Sequence, residues 1–459
     1  MTTVDVRYPW DNSLTGTVLL SSRSEMDEAI ARALNAPVLP RFRRAEILRK
    51  AASILASRRE EFANLITRES GLCRFEANYE TRRSSDVLEF AAIEALKDDG
   101  RVWSCDVTGN GKARKIFTTR YPVRVALAIT PFNHPLNQVI HKVAPAIAAG
   151  APLLLKPSDK TPLTAFKLAE VFAEAGLPDE LLHVFLCDVD DVLQPLIQDE
   201  RVETVSFTGS VAIGKHIART AGYKRTCLEL GGNAPLIVLE DADLELAARL
   251  AAEGSFRNSG QRCTAVKRIL VERSIMDNFC EQLVAVTKEK FIPGDPEADE
   301  TRVGTVIDES AAIELESRIR QAVQMGATLL HGGQRKGALL DPAVLRDVPR
   351  DADLVHLESF GPIAPVLPIE DLDDAITYYN SGKFALSSSI CTRDLNLAMR
   401  ACAELKTGTT NVNEVPGFRL ETTPFGGTRD SGLGVKEGVE EAVKFFTNQK
   451  TFSLPWPGA

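Results

Sequence analysis

From residue 123 to residue 230, short apolar runs alternate strictly with amphipathic stretches, and this alternation constrains the chain more than any other feature. VRVALAI (123–129), APLLLK (151–156), LLHVFL (181–186), ETVSF (203–207) and RTCLEL (225–230) read as strands. Stretches near 135–149, 162–175, 191–198 and from about 211 carry apolar residues at three- and four-residue spacing and read as helices. Strands and helices in this order make βαβ units, hence a parallel sheet covered on both faces. Ligands of such sheets bind beyond the carboxyl ends of the strands, so the motifs there are the ones to read for chemistry.

The flanks differ. Residues 25–97 read as helices (SEMDEAIARALNA, RRAEILRKAASILASRREEFANLITRESG and YETRRSSDVLEFAAIEALKDD). RVWSCDVTGNGKARKIFTTRYPV holds two β-rich runs around Gly-Asn-Gly-Lys, a hairpin signal. A second α/β stretch follows GGNAPLIVLEDADLE (231–245), opens with an amphipathic helix (242–257), continues through the strand RILVERS and runs to about 440. The tail KFFTNQKTFSLPW looks like a strand in need of a partner. At 459 residues the chain is too long for one core, and two or three domains are expected.

Hydrophobic residues at 44% and charged residues at 25% are ordinary for a globular protein. A net charge of −9 argues against nucleic acid or an anionic membrane as partner, since both need a basic face. No run approaches the ~18 apolar residues of a membrane span. MTTVDVRYPWDNS lacks the apolar core of a secretion signal. The eight cysteines (73, 105, 187, 227, 263, 280, 391, 402) are scattered without a CxxC pair and read as reduced thiols in a cytoplasm. His134 and His141 are seven apart with no third ligand nearby in sequence, so no metal site is expected.

Five motifs carry candidate chemistry. NSGQRCTAVKR (258–268) sets Cys263 in a polar turn, the only cysteine flanked by Gly, Gln, Arg and Thr, as a candidate nucleophile. SFTGSVAIGKHIA (206–218) is a strand, a turn and a helix. There Gly209 lets the backbone approach a phosphate and Ser210 can cap a helix N-terminus that favours anions. It is not GxGxxG, and an ordinary capped helix has the same look. LLLKPSDKTP (153–162) ends a strand with Lys156, Ser158 and Asp159, which suit ribose hydroxyls or a plain salt-bridged loop. LELGGNAP (228–235) places Glu229 among apolar residues, either as a general base with raised pKa or as a carboxylate satisfied by backbone donors. AITPFNHPLNQVIHK (128–142) carries Asn133, an oxyanion donor or a helix cap.

With ESFGPI, GTTNVN and PFGGTRDSGLG, these pieces resemble the aldehyde dehydrogenase superfamily, in its order and spacing, over nearly the whole chain. The resemblance implies an α/β fold of three parts. These are a Rossmann-type parallel-sheet domain for the dinucleotide (1–100 and 121–234), a second α/β catalytic domain (235–444), and a β oligomerisation flap (101–120 and 445–459). It implies Cys263 as nucleophile, the Asn133 amide and the Cys263 N–H around the oxyanion, Glu229 as the base that hydrolyses a thioester, and Lys142 near the proton relay. For the cofactor, NAD with NADP possible, it implies Thr130, Pro131, Lys156, Ser158 and Asp159, the turn Gly209, Ser210 and Ile213, then Leu230, Gly231, Glu358 and Phe360. It implies a homodimer or homotetramer whose tail strand adds to a neighbour's sheet. Two positions depart from the family pattern. Asp159 stands where many members have Glu, and Asn448 where many have a Glu that assists proton relay.

Arg262 adjoins the nucleophile. On an alignment at EFAAIEA, Arg82 falls where the family lines its substrate tunnel, and His134 and Thr264 are further wall candidates. Both arginines could simply pair with acids. Cations converging from separate segments of an acidic chain suit an anionic substrate instead, and the pattern most resembles the phosphonoacetaldehyde and phosphonoformaldehyde dehydrogenase branch. Non-phosphorylating glyceraldehyde-3-phosphate dehydrogenase is the nearest competitor, followed by lactaldehyde or succinic semialdehyde oxidation. A coenzyme-A-acylating enzyme would not need a base at Glu229, a cysteine hydrolase would need a thiol–imidazole pair, and a catalytically silent protein would have no use for Cys263, Glu229 and Asn133 together.

Overall fold

The computed structural model describes residues 2–457. The alternating stretch forms a five-stranded parallel sheet in the order Leu182–Val184, Leu153–Lys156, Ala126–Ile129, Thr204–Thr208, Arg225–Glu229. The chain thus starts in the middle of the sheet, winds out one way for two strands and the other way for two more. Ile129 lies opposite both Lys156 and Phe207, so the central strands end level. The winding reverses between Ala126–Ile129 and Thr204–Thr208, and at such a reversal the loops after the two strands part and open a crevice. The loop carrying Asn133 leaves one side of it and the Gly209 turn leaves the other.

On one face of this sheet, helices Arg41–Ser57, Arg74–Leu96, Asn137–Ala149 and Leu163–Ala175 pack into one apolar core. Helix Arg23–Leu34 and the segments around Val192–Ile197 and Ile217 cover the other. The stretch 43–71, which reads as helical throughout, forms two helices, Arg41–Ser57 and Arg59–Ser70. Arg58 (φ −105°, ψ 20°) ends the first and begins the second.

The second α/β stretch builds a seven-stranded sheet in the order Thr328–His331, Ala343–Arg346, Ile363–Ile369, Val266–Glu272, Ala234–Val238, Ser387–Cys391, Thr409–Val412. All its pairs are parallel except the first. A third sheet joins Val102–Ser104, Arg114–Pro122 and Thr447–Pro455, all antiparallel. The tail strand already has one partner within its own chain. It pairs from Thr447 to Pro455 with Arg114–Pro122 of its own chain, and Phe452 stacks on Phe117 at 5.4 Å. Its other edge is free. Among the described residues no helix is long and apolar enough to cross a membrane, no cluster of His, Cys, Asp and Glu could hold a metal, and all eight cysteines are free thiols.

Candidate active site

Helix Leu244–Phe256 ends in a turn where Asn258 (φ 58°), Ser259 (φ 52°) and Gly260 (φ 69°) are all left-handed. Asn and Gly tolerate that conformation, whereas Ser in it is strained by about 1–2 kcal/mol. The surroundings hold the turn in place. Asn258 Nδ2 donates to Asn133 O (3.0 Å), Asn133 Nδ2 donates to Gln261 O (2.7 Å), and Gln261 Oε1 accepts Ile307 N (2.9 Å). The loop after the central strand and the turn before Cys263 are thus laced through Asn133, which is buried and not a helix cap. Its amide keeps a second N–H, and the Cys263 N–H donates to no acceptor among the described residues. Gly232 seals the floor: a Cβ there would lie 2.1 Å from Cys263 O, so no other residue fits.

Burial pushes the Cys263 thiol up to about 11. Lys267 and Arg419 oppose that rise, and Glu358 and Glu229 add to it. Glu229 is 3% exposed with both carboxyl oxygens unpaired, so backbone donors do not satisfy it. Burial, then the charge of Glu437, raise its pKa well above the usual carboxylate range, against Lys142, Arg419 and Lys436. Lys142 Nζ is paired with Glu437 Oε1 and buried with it. Asn448 lies on the tail strand. It donates to Glu203 (2.5 Å) on the flap side, and the acid beside the candidate base is Glu437. Sequence reasoning missed Glu437 because it sits with Glu440 and Glu441 like any acid near a helix start, and only the tertiary fold buries it.

The crevice at the strand ends fits a dinucleotide. Thr130 Oγ1 and Thr208 Oγ1, one on each side of it, are buried and have no partner. Ser210 caps helix Val211–Thr220 by accepting from Ile213 N (3.4 Å), leaving the amides before it to face the crevice. The Gly209 N–H is spent on Glu229 O (3.0 Å). Ile213 is exposed at the rim, Pro131 is half-buried, and buried Leu230 is pinned by its N–H to Ser431 O (3.1 Å). Lys156 is buried and ion-paired with half-exposed Asp159 at 2.6 Å, while Ser158 Oγ accepts Lys160 N (3.2 Å). This loop is salt-bridged. Deeper in, Gly231 leaves room for Glu358, whose Oε1 accepts Gly232 N (2.9 Å), and Phe360 meets Phe132 edge-on at 5.9 Å.

The cations gather differently from the expectation. Arg82 is exposed on the outer face of helix Arg74–Leu96 and makes no ion pair, so its assignment to the substrate wall is corrected. One step round the helix, Arg83 donates to Glu421 Oε1 (2.7 Å). Glu421 Oε2 also meets His141 Nε2 at 2.7 Å and Arg419 at 3.7 Å. Burial raises the Glu421 carboxyl, but His141, Arg419 and Arg83 hold it far below its ordinary range. Arg419, missed in the sequence because it lies in an irregular loop, lies over the Phe425 ring at 4.3 Å and has a buried Nη1 without a partner. Arg262 neither pairs with an acid nor points freely at a ligand. Its Nη2 donates to Glu253 O (3.0 Å) and Gly254 O (2.9 Å) at the end of the preceding helix, and its Nε is buried and unpaired. Burial, then Arg257, push its pKa down to about 10. Glu76, the nearest acid, is already taken by Arg257 at 2.9 and 3.0 Å. His134 Nδ1 lies 3.4 Å from Glu80, leaving Nε2 free, and Thr264 abuts Gly417.

An unpaired buried glutamate close to a cysteine, beside a crevice between two largely parallel sheets, suits an NAD(P)-dependent oxidoreductase. The chain belongs to the aldehyde dehydrogenase family, whose model matches residues 1–452. It is 36% identical over 439 residues to the 3-sulfolactaldehyde dehydrogenase of Priestia aryabhattai, covering 95% of this chain and 92% of that one. It is 34% identical over 450 residues to the sulfoacetaldehyde dehydrogenase of Neptuniibacter caesariensis, covering 97% and 98%. The glyceraldehyde-3-phosphate dehydrogenase GapN from Methanocaldococcus jannaschii, solved with NADP, superposes with a TM-score of 0.93 at 35% identity, covering 98% of this chain and 99% of that one.

Proposed function

We propose that the protein oxidises a short aldehyde with an anionic head group, of the phosphonoacetaldehyde or phosphonoformaldehyde type, to the carboxylic acid. The observation that carries this reading is the pair of guanidinium groups Arg262 and Arg419 beside Cys263, each with a buried nitrogen unpaired, and Arg83 close to them; Glu421 pairs with Arg83 and Arg419, and no acid pairs with Arg262 among the described residues. A buried donor without an acceptor costs about 1–3 kcal/mol, which an oxyanion head group would return.

The Cys263 thiolate adds to the aldehyde carbon, and the second N–H of Asn133 with the Cys263 N–H receive the developing oxyanion. A nicotinamide bound in the crevice would supply the hydride acceptor, with the acyl group retained on the Cys263 sulfur. Thr130, Pro131, Lys156, Ser158, Asp159, Gly209, Ser210, Ile213, Leu230 and Gly231 would hold the cofactor, with Glu358 and Phe360 at its nicotinamide end. Glu229 takes a proton from the water that hydrolyses the thioester, and Glu437 with Lys142 stands next in line for that proton. Lys156 is already neutralised by Asp159, and a 2′-phosphate would meet that carboxylate, so NAD is preferred and NADP accepted. The unpaired Glu229 favours hydrolysis over transfer to coenzyme A. No histidine is among the groups acting most strongly on Cys263, which disfavours a cysteine hydrolase.

The same reading assigns the cofactor to 1–100 and 121–234, the chemistry to 235–444, and assembly into a homodimer or homotetramer to 101–120 and 445–459, in a cytoplasm that keeps the eight thiols reduced. A second reading, a sulfonate head group, is favoured by the two relatives named above. The test is kcat/KM for phosphonoacetaldehyde, sulfoacetaldehyde, glyceraldehyde 3-phosphate, lactaldehyde and propionaldehyde with each cofactor. Phosphonoacetaldehyde is expected to lead. Sulfoacetaldehyde ahead of it would favour the second reading, and propionaldehyde ahead of both would remove the anionic one.

A further inference from the structure

Lys267 stands four residues after Cys263, on strand Val266–Glu272, and the chemistry above gives it no part. Its side chain is 2% exposed. Burying an ammonium is costly, so it persists only where its partners are in place. Here Nζ donates to Gly232 O (2.8 Å) and Glu358 Oε1 (2.6 Å), with Cys263 O at 3.5 Å, and lies 5.1 Å above the Phe360 ring. Those contacts join the turn of the candidate nucleophile, the glycine loop packed against it, and the carboxylate at the nicotinamide end of the crevice.

We propose that Lys267 is a positioning residue with two tasks: it fixes Glu358 for the cofactor's ribose hydroxyls, and it sets its ammonium, 3.5 Å from Cys263 O, as the counter-charge beside the nucleophile's turn. The inference rests on Cys263 being the nucleophile. The charged groups facing that thiol are Lys267 on its strand, Glu358 on the following loop, Glu229 at a strand end, Arg419 on the C-terminal loop and Arg262 on the turn itself. Among them Lys267 opposes the burial of the thiol most strongly, and Glu358 works against it. A neutral side chain at 267 would leave Glu358 beside the thiol with no counter-charge. A neutral one at 358 would leave the lysine's full charge acting on sulfur.

The test is the pH dependence of iodoacetamide alkylation of the cofactor-free protein, followed by mass spectrometry on the Cys263 peptide so that Cys402 and Cys105 do not interfere. Lys267→Met should move the profile to higher pH and slow alkylation about tenfold below the thiol pKa, the factor for one unit. Glu358→Gln should move it to lower pH, the double variant should return towards the parent, and Lys267→Arg should stay near it. The KM for NAD should rise in Lys267→Met more than kcat falls. Should Lys267→Met not fold, the Glu358→Gln shift still decides. Profiles unchanged in the folded single variants would overturn the proposal. An error in the nucleophile assignment would show separately, as dehydrogenase activity surviving in Cys263→Ala.

Discussion

Glu229 is expensive to keep as it is, with both oxygens out of water and no donor on either. Such a group is retained where a passing water is its partner. Glu229→Gln should preserve the fold and a stoichiometric NADH burst, while steady turnover falls by about 10²–10⁴. A variant that turns over at the parent rate would remove Glu229 from the reaction. Because the base works only when ionised and burial raises its pKa, turnover should fall as pH drops through that raised value, and the Gln variant should lose this limb of the profile. Arg82 and Arg83 make a second test, since about 100° of helix separates them. Arg83→Ala should cost roughly 10- to 150-fold in kcat/KM for phosphonoacetaldehyde, one charge-assisted hydrogen bond, and far less for propionaldehyde. Arg82→Ala should match the parent on both, and equal losses from the two variants would refute the placement. Cys263, Glu229 and Asn133 could be singled out in the sequence because each lies in a motif that matches a family, Asn133 and Glu229 at strand ends and Cys263 in the turn before a strand. Arg419, Glu421 and Glu437 were not, because nothing local tells a buried loop charge from a solvated one.

Helix Arg74–Leu96 does more than cover the sheet. Glu80 accepts the amides of Leu136 (2.8 Å) and Asn137 (2.9 Å), capping helix Asn137–Ala149 just after the Asn133 loop. One turn earlier, Glu76 grips Arg257, whose guanidinium lies over Tyr79 at 4.2 Å, immediately before the left-handed turn. The helix thus clamps both loops of the site from behind. Glu76→Ala leaves the partly buried Arg257 without its acid, so it should destabilise by about 1–3 kcal/mol. Glu297→Ala breaks the exposed pair with Arg68 and should cost under about 1 kcal/mol. Urea melts of the two variants check this, and similar midpoints would mean the clamp contributes little. The helix itself was visible in its three- and four-residue spacing. Its clamping role was not, because which acid meets which arginine depends on contacts far apart in sequence. The break at Arg58 was equally hidden, since no Gly or Pro marks it and both halves keep a good helical pattern.

At the scale of the whole molecule, the alternation over 123–230 sets the switch point, and the switch point sets the crevice. The flap answers to a different rule. Its sheet has open edges at Val102–Ser104 and Thr447–Pro455, and Val102, Trp103, Phe452, Leu454 and Trp456 are exposed along it. The seven-stranded sheet also ends in an edge strand, Thr409–Val412, whose outer side has no partner strand among the described residues and whose Val412 is exposed. Native proteins seldom leave such edges bare or group apolar side chains on them, because both recruit another chain. The sequence hinted at this through a tail strand without an evident partner, but it could not show that one edge is filled at home and only the other remains. A second copy of this chain supplies matching edges, so the protein should be at least a dimer. Light scattering at micromolar concentration should give twice or four times the chain mass of 50.1 kDa. Trp103→Lys with Leu454→Lys should shift the mass towards the monomer while leaving the alkylation profile of Cys263 in place, since the flap supplies no group to the thiol's surroundings. A monomer mass for the unmodified chain would mean that the exposed edges are tolerated in solution and that assembly plays no part in completing the fold.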